Sequence, residues 1–192
     1  MPFEVERTTI PEVLLVRPKR FGDDRGWFAE IWQDEAFDAL GGGVPTRFFQ
    51  VNQSRSARGV VRGLHFQWDP PQGKLMRVIA GRAFMVAVDI RPGSPTLGQV
   101  VTCEGSDEEP LLFWAPASFA RGFCALSEVT EVEYFCTARY DAAHEAGIRW
   151  DDPDLGIPWP VRDPRLSPKD AGAGTLAEWL ARPESEAFRH PG

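Results

Sequence analysis

Short apolar, aromatic and β-branched runs recur along this chain, and turn formers separate them. Val13–Arg17, Phe28–Trp32, Phe48–Asn52, Val60–Gln67, Lys74–Ala80, Ala83–Ile90, Gln99–Cys103, Leu111–Ala115, Phe123–Leu126 and Glu131–Thr137 each read as a strand. Gly22-Asp23-Asp24, Pro70-Pro71-Gln72-Gly73, Arg91-Pro92-Gly93-Ser94-Pro95 and Gly105-Ser106-Asp107 supply the turns. Within Ala83–Ile90, Phe84, Val86, Val88 and Ile90 alternate with Ala83, Met85, Ala87 and Asp89, the pattern of a half-buried strand. Many short strands at roughly 8–12-residue spacing predict an all-β sandwich or jelly-roll barrel. Helical patterning is limited to short peripheral pieces. Asp34–Leu40 is one, closed by Gly41-Gly42-Gly43, and Leu176–Ala181 is another, stopped before Pro183. The stretch from Trp150 to Pro168, rich in proline and aspartate, reads as an ordered loop wrapped on the core. The last ten residues, 183–192, read as frayed or used against another chain.

Composition narrows the class without changing the fold. A chain of 192 residues suits one domain over residues 1–192, with its core at about 3–180. Its 43% hydrophobic and 26% charged residues are those of an ordinary globular protein. A net charge of -7 and a pI near 5.0 disfavour nucleic acid, whose phosphates need a basic face. Runs such as Leu111–Phe113 and Phe84–Val88 fall far short of the roughly 20 apolar residues of a membrane span. Met1-Pro2-Phe3-Glu4-Val5-Glu6 has neither the basic region nor the apolar core of a signal peptide. Three cysteines, Cys103, Cys124 and Cys136, cannot all pair within one chain, so reduced thiols in a cytoplasmic protein are expected.

Candidate chemistry centres on Val60-Val61-Arg62-Gly63-Leu64-His65-Phe66-Gln67. Of three histidines, His65, His144 and His190, only His65 sits where a packed scaffold can hold its ring. Imidazole takes up and returns a proton near neutral pH, although a lone strand histidine is more often structural than catalytic. Strict alternation sends Arg62 and His65 to opposite faces, unless a bulge at Gly63 re-aims one of them. Of 21 basic residues only Lys19, Lys74 and Lys169 are lysines. Lys74 opens a strand, and Lys169 precedes Asp170 in a loop. Either reads as a solvated charge or as a cation that steadies an enolate. Val132, Tyr134 and Cys136 share one strand face, so Tyr134 is a core aromatic or a proton donor. Tyr140 lies past the strand end, where its ring can stack on a flat ligand. No His-x-His occurs, and a two-histidine site with His144 is poor, so no catalytic metal is expected. Gly41-Gly42-Gly43 opens no phosphate-binding GxxxxGK[ST] loop.

Several ordered motifs resemble the dTDP-4-dehydrorhamnose 3,5-epimerase family. They are Phe21-Gly22-Asp23-Asp24-Arg25-Gly26-Trp27-Phe28-Ala29-Glu30, Gln50-Val51-Asn52-Gln53-Ser54-Arg55-Ser56, Val61-Arg62-Gly63-Leu64-His65-Phe66-Gln67 and Gln72-Gly73-Lys74-Leu75. Ile148-Arg149-Trp150-Asp151-Asp152-Pro153 and Leu166-Ser167-Pro168-Lys169-Asp170 continue the likeness, which spans roughly residues 3 to 180. The resemblance implies a homodimeric double-stranded β-helix, a cupin-like jelly roll, that needs no cofactor. Its substrate would be dTDP-4-dehydro-6-deoxy-D-glucose, a dTDP-4-keto-6-deoxyhexose inverted at the carbons flanking its ketone. By the same resemblance His65 is the general base, Asp170 its orienting carboxylate and Tyr134 the general acid, while Lys74 matches a ligand-binding position from which its charge would steady the enolate. Arg25, Glu30, Gln50, Asn52, Arg62, Glu145 and Lys169 match ligand-binding positions, and Tyr140 matches the ring that stacks on thymine.

One departure stands out. Where the family commonly reads Ala-His-Gly-Phe, this chain has Ala120-Arg121-Gly122-Phe123. Arg121 can keep a ligand-binding role, as a phosphate contact, but cannot serve as a base near neutral pH. The resemblance implies double inversion at C3 and C5, and this departure raises the alternative, a mono-epimerase acting at C3 or C5 alone.

Overall fold

The computed structural model describes residues 2–39, 44 and 47–191; Leu40 and Gly41–Gly43, expected to close the first helix, lie outside them. Among the described residues thirteen strands form in chain order: β1 (Phe3–Arg7), β2 (Leu14–Pro18), β3 (Arg20–Asp23), β4 (Gly26–Ala29), β5 (Gln50–Ala57), β6 (Val61–Gln67), β7 (Lys74–Ala80), β8 (Arg82–Asp89), β9 (Val100–Ser106), β10 (Leu112–Ala115), β11 (Phe119–Ala125), β12 (Val129–Cys136) and β13 (Glu145–Gly147). Helices are short: α1 (Asp34–Asp38), α2 (Pro168–Ala171), α3 (Leu176–Leu180) and a 3-10 helix at Pro183–Phe188. Two antiparallel sheets face each other, ordered β1-β2-β10-β7-β12-β5 and β13-β6-β11-β8-β9, while β3 and β4 form a separate hairpin. Of the sandwich and the jelly roll that the strand spacing left open, this is the all-β jelly roll, the cupin-like form that the resemblance implies.

The space between the sheets is filled by Leu15, Met76, Val78, Met85, Ala87, Phe113, Phe119, Phe123 and Val132. Each outer face is covered as well. Phe3, Leu14, Val16 and Phe37 pack with Leu75, Leu112 and Trp114 behind the six-stranded sheet. Leu64, Phe66, Val86 and Val88 pack under Ile148, Leu155, Trp179 and Phe188 behind the other. Strand β8 is thus buried on both faces, and the half-buried reading of Ala83–Ile90 is corrected. A strand between two apolar layers reads as a continuous apolar run.

The C-terminal stretch is also firmer than the sequence suggests. Pro183–Phe188 is helical and Phe188 is buried against Phe66 and Trp179, so this part is not frayed. Burying one such ring is worth about 1.5–3 kcal/mol, enough to hold a short segment down. Arg182 adds its guanidinium over the Trp68 and Trp179 rings.

Candidate active site

Strand β6 delivers Arg62 and His65 to one pocket, which a regular strand could not do. Against β11, Phe123 pairs with Arg62 and Arg121 with His65, so Gly63 and Leu64 oppose Gly122 alone. That two-against-one count is a β-bulge. Gly63 has φ +118°, and a Cβ there would meet the Arg121 carbonyl oxygen at 2.6 Å and Gly122 Cα at 2.7 Å. Only glycine fits so close a crossing.

The pocket, about 110 Å³, is lined by Arg62, His65, Lys74, Met76, Arg121, Gly122, Phe123 and Tyr134. His65 and Arg121 come from the five-stranded sheet, and Lys74 and Tyr134 from the six-stranded sheet. The imidazole and the phenol therefore stand on facing walls.

His65 is held from behind. Its Nε2 lies 2.5 Å from Oδ1 of the buried Asp170. Asp170 gets there because the stretch after β13 stays on the edge of β6. Leu64 and Ile148 exchange main-chain hydrogen bonds, and Val61 donates to the Arg165 carbonyl. Ser167 then caps α2, its Oγ accepting from the Asp170 amide at 3.1 Å, with Pro168 in the first turn. Lys169 and Asp170 thus sit on a one-turn helix rather than in a loop. Burial alone would raise the Asp170 carboxyl, but the His65 hydrogen bond and charge, with Ser167 and Lys169, hold it below the usual range. An ionised carboxylate only accepts, so Nε2 carries the proton and Nδ1 is the ring's basic nitrogen.

On the opposite wall, burial raises the Tyr134 phenol, Cys136 and Glu145 add to the rise, and Arg62 opposes it. The phenol stays protonated at neutral pH, as a proton donor requires. Lys74 Nζ lies 5.4 Å from the centre of the Tyr134 ring. Burial and the nearby Arg121 charge push its amine down to about 8.

A second group of residues is joined by contacts at the rim. Glu145 on β13 pairs with Lys169 Nζ and bonds the Tyr140 hydroxyl. Gln50 bonds Asn52 at 2.9 Å and accepts from the Tyr140 amide at 2.9 Å. The Tyr140 ring is exposed, as a stacking platform must be. Arg62 is steadied by Ser56 Oγ at 3.0 Å and the Arg55 carbonyl.

Three expected ligand contacts are not available in the pocket as the sequence suggests. Arg25 is at the tip of the β3–β4 hairpin, paired with Asp23, and Glu30 follows β4 on the surface; neither lines the pocket. Arg121 lines it, but its guanidinium is committed to main-chain carbonyls of Gln72, Phe119 and Ala117 rather than left open for phosphate. Met76 and Phe123 line the pocket without having been singled out; only their alternation onto the inner face of β7 and β11 marks them. His144 pairs with Asp141 at 2.9 Å and meets Trp68 edge-on, apart from His65. Cys124 and Cys136 are buried, Cys103 partly so, and all three are free.

Comparison with known proteins follows the same outline. The sequence profile of the dTDP-4-dehydrorhamnose 3,5-epimerase family matches residues 7–178. The Pseudomonas aeruginosa dTDP-4-dehydrorhamnose 3,5-epimerase is 49% identical over 173 residues, covering 90% of this chain and 95% of the relative. The Streptomyces niveus dTDP-4-dehydrorhamnose 3-epimerase is 39% identical over 171 residues, covering 88% and 82%. Among solved structures, the Legionella pneumophila dTDP-6-deoxy-D-glucose-3,5-epimerase in complex with dTDP-4-keto-L-rhamnose superposes with a TM-score of 0.91 at 43% identity, covering 99% of this chain and 100% of that one.

Proposed function

This chain belongs to the dTDP-4-dehydrorhamnose 3,5-epimerase family, and from that premise we propose that it inverts both C3 and C5 of dTDP-4-dehydro-6-deoxy-D-glucose, giving dTDP-4-dehydro-L-rhamnose. The observation that carries this reading is a histidine–carboxylate pair facing a protonated tyrosine across one cation-lined pocket.

A C–H beside a ketone is acidic because its electron pair can delocalise onto the carbonyl oxygen. His65 Nδ1 takes that proton, the pair becomes a C=C bond, and the carbonyl π electrons move onto oxygen. Lys74 meets the resulting charge. Tyr134 then delivers its proton to the same carbon from the other wall, so the configuration inverts. Asp170 stabilises the imidazolium formed in the first step. His65 and Tyr134 regain their starting states by exchange with solvent, and the sequence repeats at the second carbon. Arg62, Gln50, Asn52, Glu145, Lys169 and the exposed Tyr140 ring hold the nucleotide part of the substrate, with arginine suited to the diphosphate. A net charge of -7 is no obstacle, because the field over the diphosphate is set locally.

The chain is further proposed to work as a two-fold homodimer in the cytoplasm. Phe21, Trp27, Phe28, Phe49 and Val51 are large apolar side chains left exposed along the hairpin and the outer strand β5. A second copy of the chain covering them accounts for that exposure. Arg25 and Glu30, outside the single-chain pocket, fit a ligand-binding role only across such a dimer. Three unpaired thiols fit a reducing compartment, and among the described residues no helix is long and apolar enough to cross a membrane. Light scattering that returns a monomer would remove the dimer.

The deciding experiment incubates the protein with dTDP-4-dehydro-6-deoxy-D-glucose in deuterated water and follows it by NMR. Deuterium at both C3 and C5 with the L-rhamno configuration is expected. Label and inversion at a single carbon would make this a mono-epimerase, and no label at all would sink the activity.

A further inference from the structure

Arg121 is 3% exposed, and among the described residues no carboxylate lies within ion-pair distance of it, of Lys74 or of Arg62. A buried cation without a counter-ion is costly, and proteins usually pair or neutralise it. Arg121 cannot discard its proton near neutral pH, so its charge is permanent. Its hydrogen bonds show what holds it. Nε donates to the Phe119 carbonyl at 3.0 Å, Nη1 and Nη2 donate to the Gln72 carbonyl at 2.9 and 2.8 Å, and Nη2 reaches the Ala117 carbonyl at 3.3 Å.

Gln72 is two residues before Lys74 in the turn that enters β7. The rest of that turn is also tied down. The Gln72 side chain donates to the Ala138 carbonyl at 2.9 Å, and the Gly73 amide donates to Thr137 Oγ1 at 2.7 Å. The Gln72 amide donates to the Gln67 carbonyl of β6 at 3.2 Å, and Arg121 adds the side-chain tie from the same opposite sheet, joining the turn to the strand lying against His65.

We propose that Arg121 is a positioning residue for the epimerisation: it clamps the turn that carries Lys74 into the pocket and sets a permanent positive charge beside it, so that the two cations form one hole for a developing oxyanion. This rests on the epimerase reading and deepens it. Enolates formed at C3 and at C5 place their charge on the same ketone oxygen, so a single hole serves both inversions. Arg121 then needs no base function for two carbons to react. The charges facing Lys74 agree: Arg121 from β11 and Lys169 from α2 disfavour its protonation, while Cys136 from β12 and Glu145 from β13 favour it, and burial adds to the first pair. Arg62 and His65 from β6 and Tyr134 from β12 complete the titratable and charged groups lining the pocket.

The test uses the full chain carrying 13C-labelled lysine. With three lysines in the sequence, the Cε signals are few, and Lys19→Arg and Lys169→Arg assign them. In the parent protein the Lys74 signal should titrate far below an ordinary lysine. Arg121→Gln, which removes the charge, should move it toward the ordinary value and lower kcat at least about tenfold. Arg121→Lys, which keeps the charge and loses the fork, should leave the titration low and still lower kcat. In both variants KM should change less than about threefold, because the hole acts on charge that develops in the transition state. An unmoved Lys74 titration in Arg121→Gln would overturn the charge role, and parental kcat in Arg121→Lys would overturn the clamp. A raised KM with parental kcat would make Arg121 a substrate ligand instead. The titration needs no substrate, so it stands even if the parent protein leaves the sugar unlabelled, a result that would defeat only the epimerase reading.

Discussion

Two charge clusters, each centred on a buried residue, lie two residues apart along the same pair of strands, and they are built on opposite plans. At one, Asp89 faces Phe119 across β8 and β11; at the other, Arg121 faces Ala87. Asp89 is fully buried, yet it accepts from Arg91 Nε at 2.9 Å and Nη2 at 2.7 Å, and from Ser94 and Thr96 hydroxyls at 2.6 Å each. Arg91 in turn reaches Glu12 at 2.6 Å and lies over the Phe119 ring. Every charge there has its opposite. The pocket gathers Arg62, Lys74 and Arg121 without a carboxylate at ion-pair distance among the described residues. Saturated buried charge fixes the Arg91–Gly98 turn. On the proposed mechanism the unsaturated charge of the pocket is left for a ligand's anion, a difference that would separate scaffold from chemistry more clearly than burial does.

Substitutions can break the contrast from either side. The largest effect expected is on activity: His65→Ala should lower deuterium exchange at both carbons by about 10³–10⁴-fold while nucleotide binding, measured by calorimetry, persists. Exchange at the parental rate would take His65 out of the mechanism. At the saturated cluster, Asp89→Ala leaves Arg91 only Glu12 and removes the acceptor of the Ser94 and Thr96 hydroxyls, and should cost about 3–5 kcal/mol of stability in denaturant unfolding. A loss under about 1 kcal/mol would show that the cluster is ornamental. Lys74→Met should do the reverse, costing about 10²–10³-fold in kcat without loss of stability at neutral pH. If it unfolds the protein as Asp89→Ala does, the two clusters are not different in kind. The smallest effect is a pH profile. Lys74 must be charged to meet an enolate, so kcat should fall as pH rises through about 8. Its folded-state value lies below its ordinary 10.5, so charging it is costly in the folded state below about 8, and that cost fades as pH rises toward 10.5. Lys74→Met should abolish this gain in stability with pH, and an unchanged stability profile in the variant would count against the shift.

Strand positions were legible because apolar runs and turn residues mark them locally; Lys74–Ala80 was read to the residue. What escaped was marked weakly. Phe3–Arg7 and Arg20–Asp23 carry too many charged residues to look like strands, and Glu145–Gly147 has three residues and pairs only at the edge of β6. The one-turn helix at Pro168 is shorter than any periodic signal. The bulge at Gly63 was foreseeable from a glycine between two polar side chains, and it does bring Arg62 and His65 to one pocket. The use of Arg121 was not foreseeable. Its partners are three carbonyl oxygens, which no side-chain pattern announces. The outer cover of β8 was hidden for a similar reason, since alternation along a strand does not say what another segment lays over it.

The wrap that carries Asp170, Trp179 and Phe188 has a consequence for the life of the polypeptide. A ribosome makes His65 early and Asp170 more than a hundred residues later. Until the later segment docks on β6, the imidazole has no carboxylate to fix its tautomer, and the apolar face of that sheet is bare. On the proposed mechanism, nascent chains and products shortened before residue 170 are expected to be inert rather than partly active. Catalytic competence in this protein doubles as a receipt that nearly the whole chain has been made and has folded.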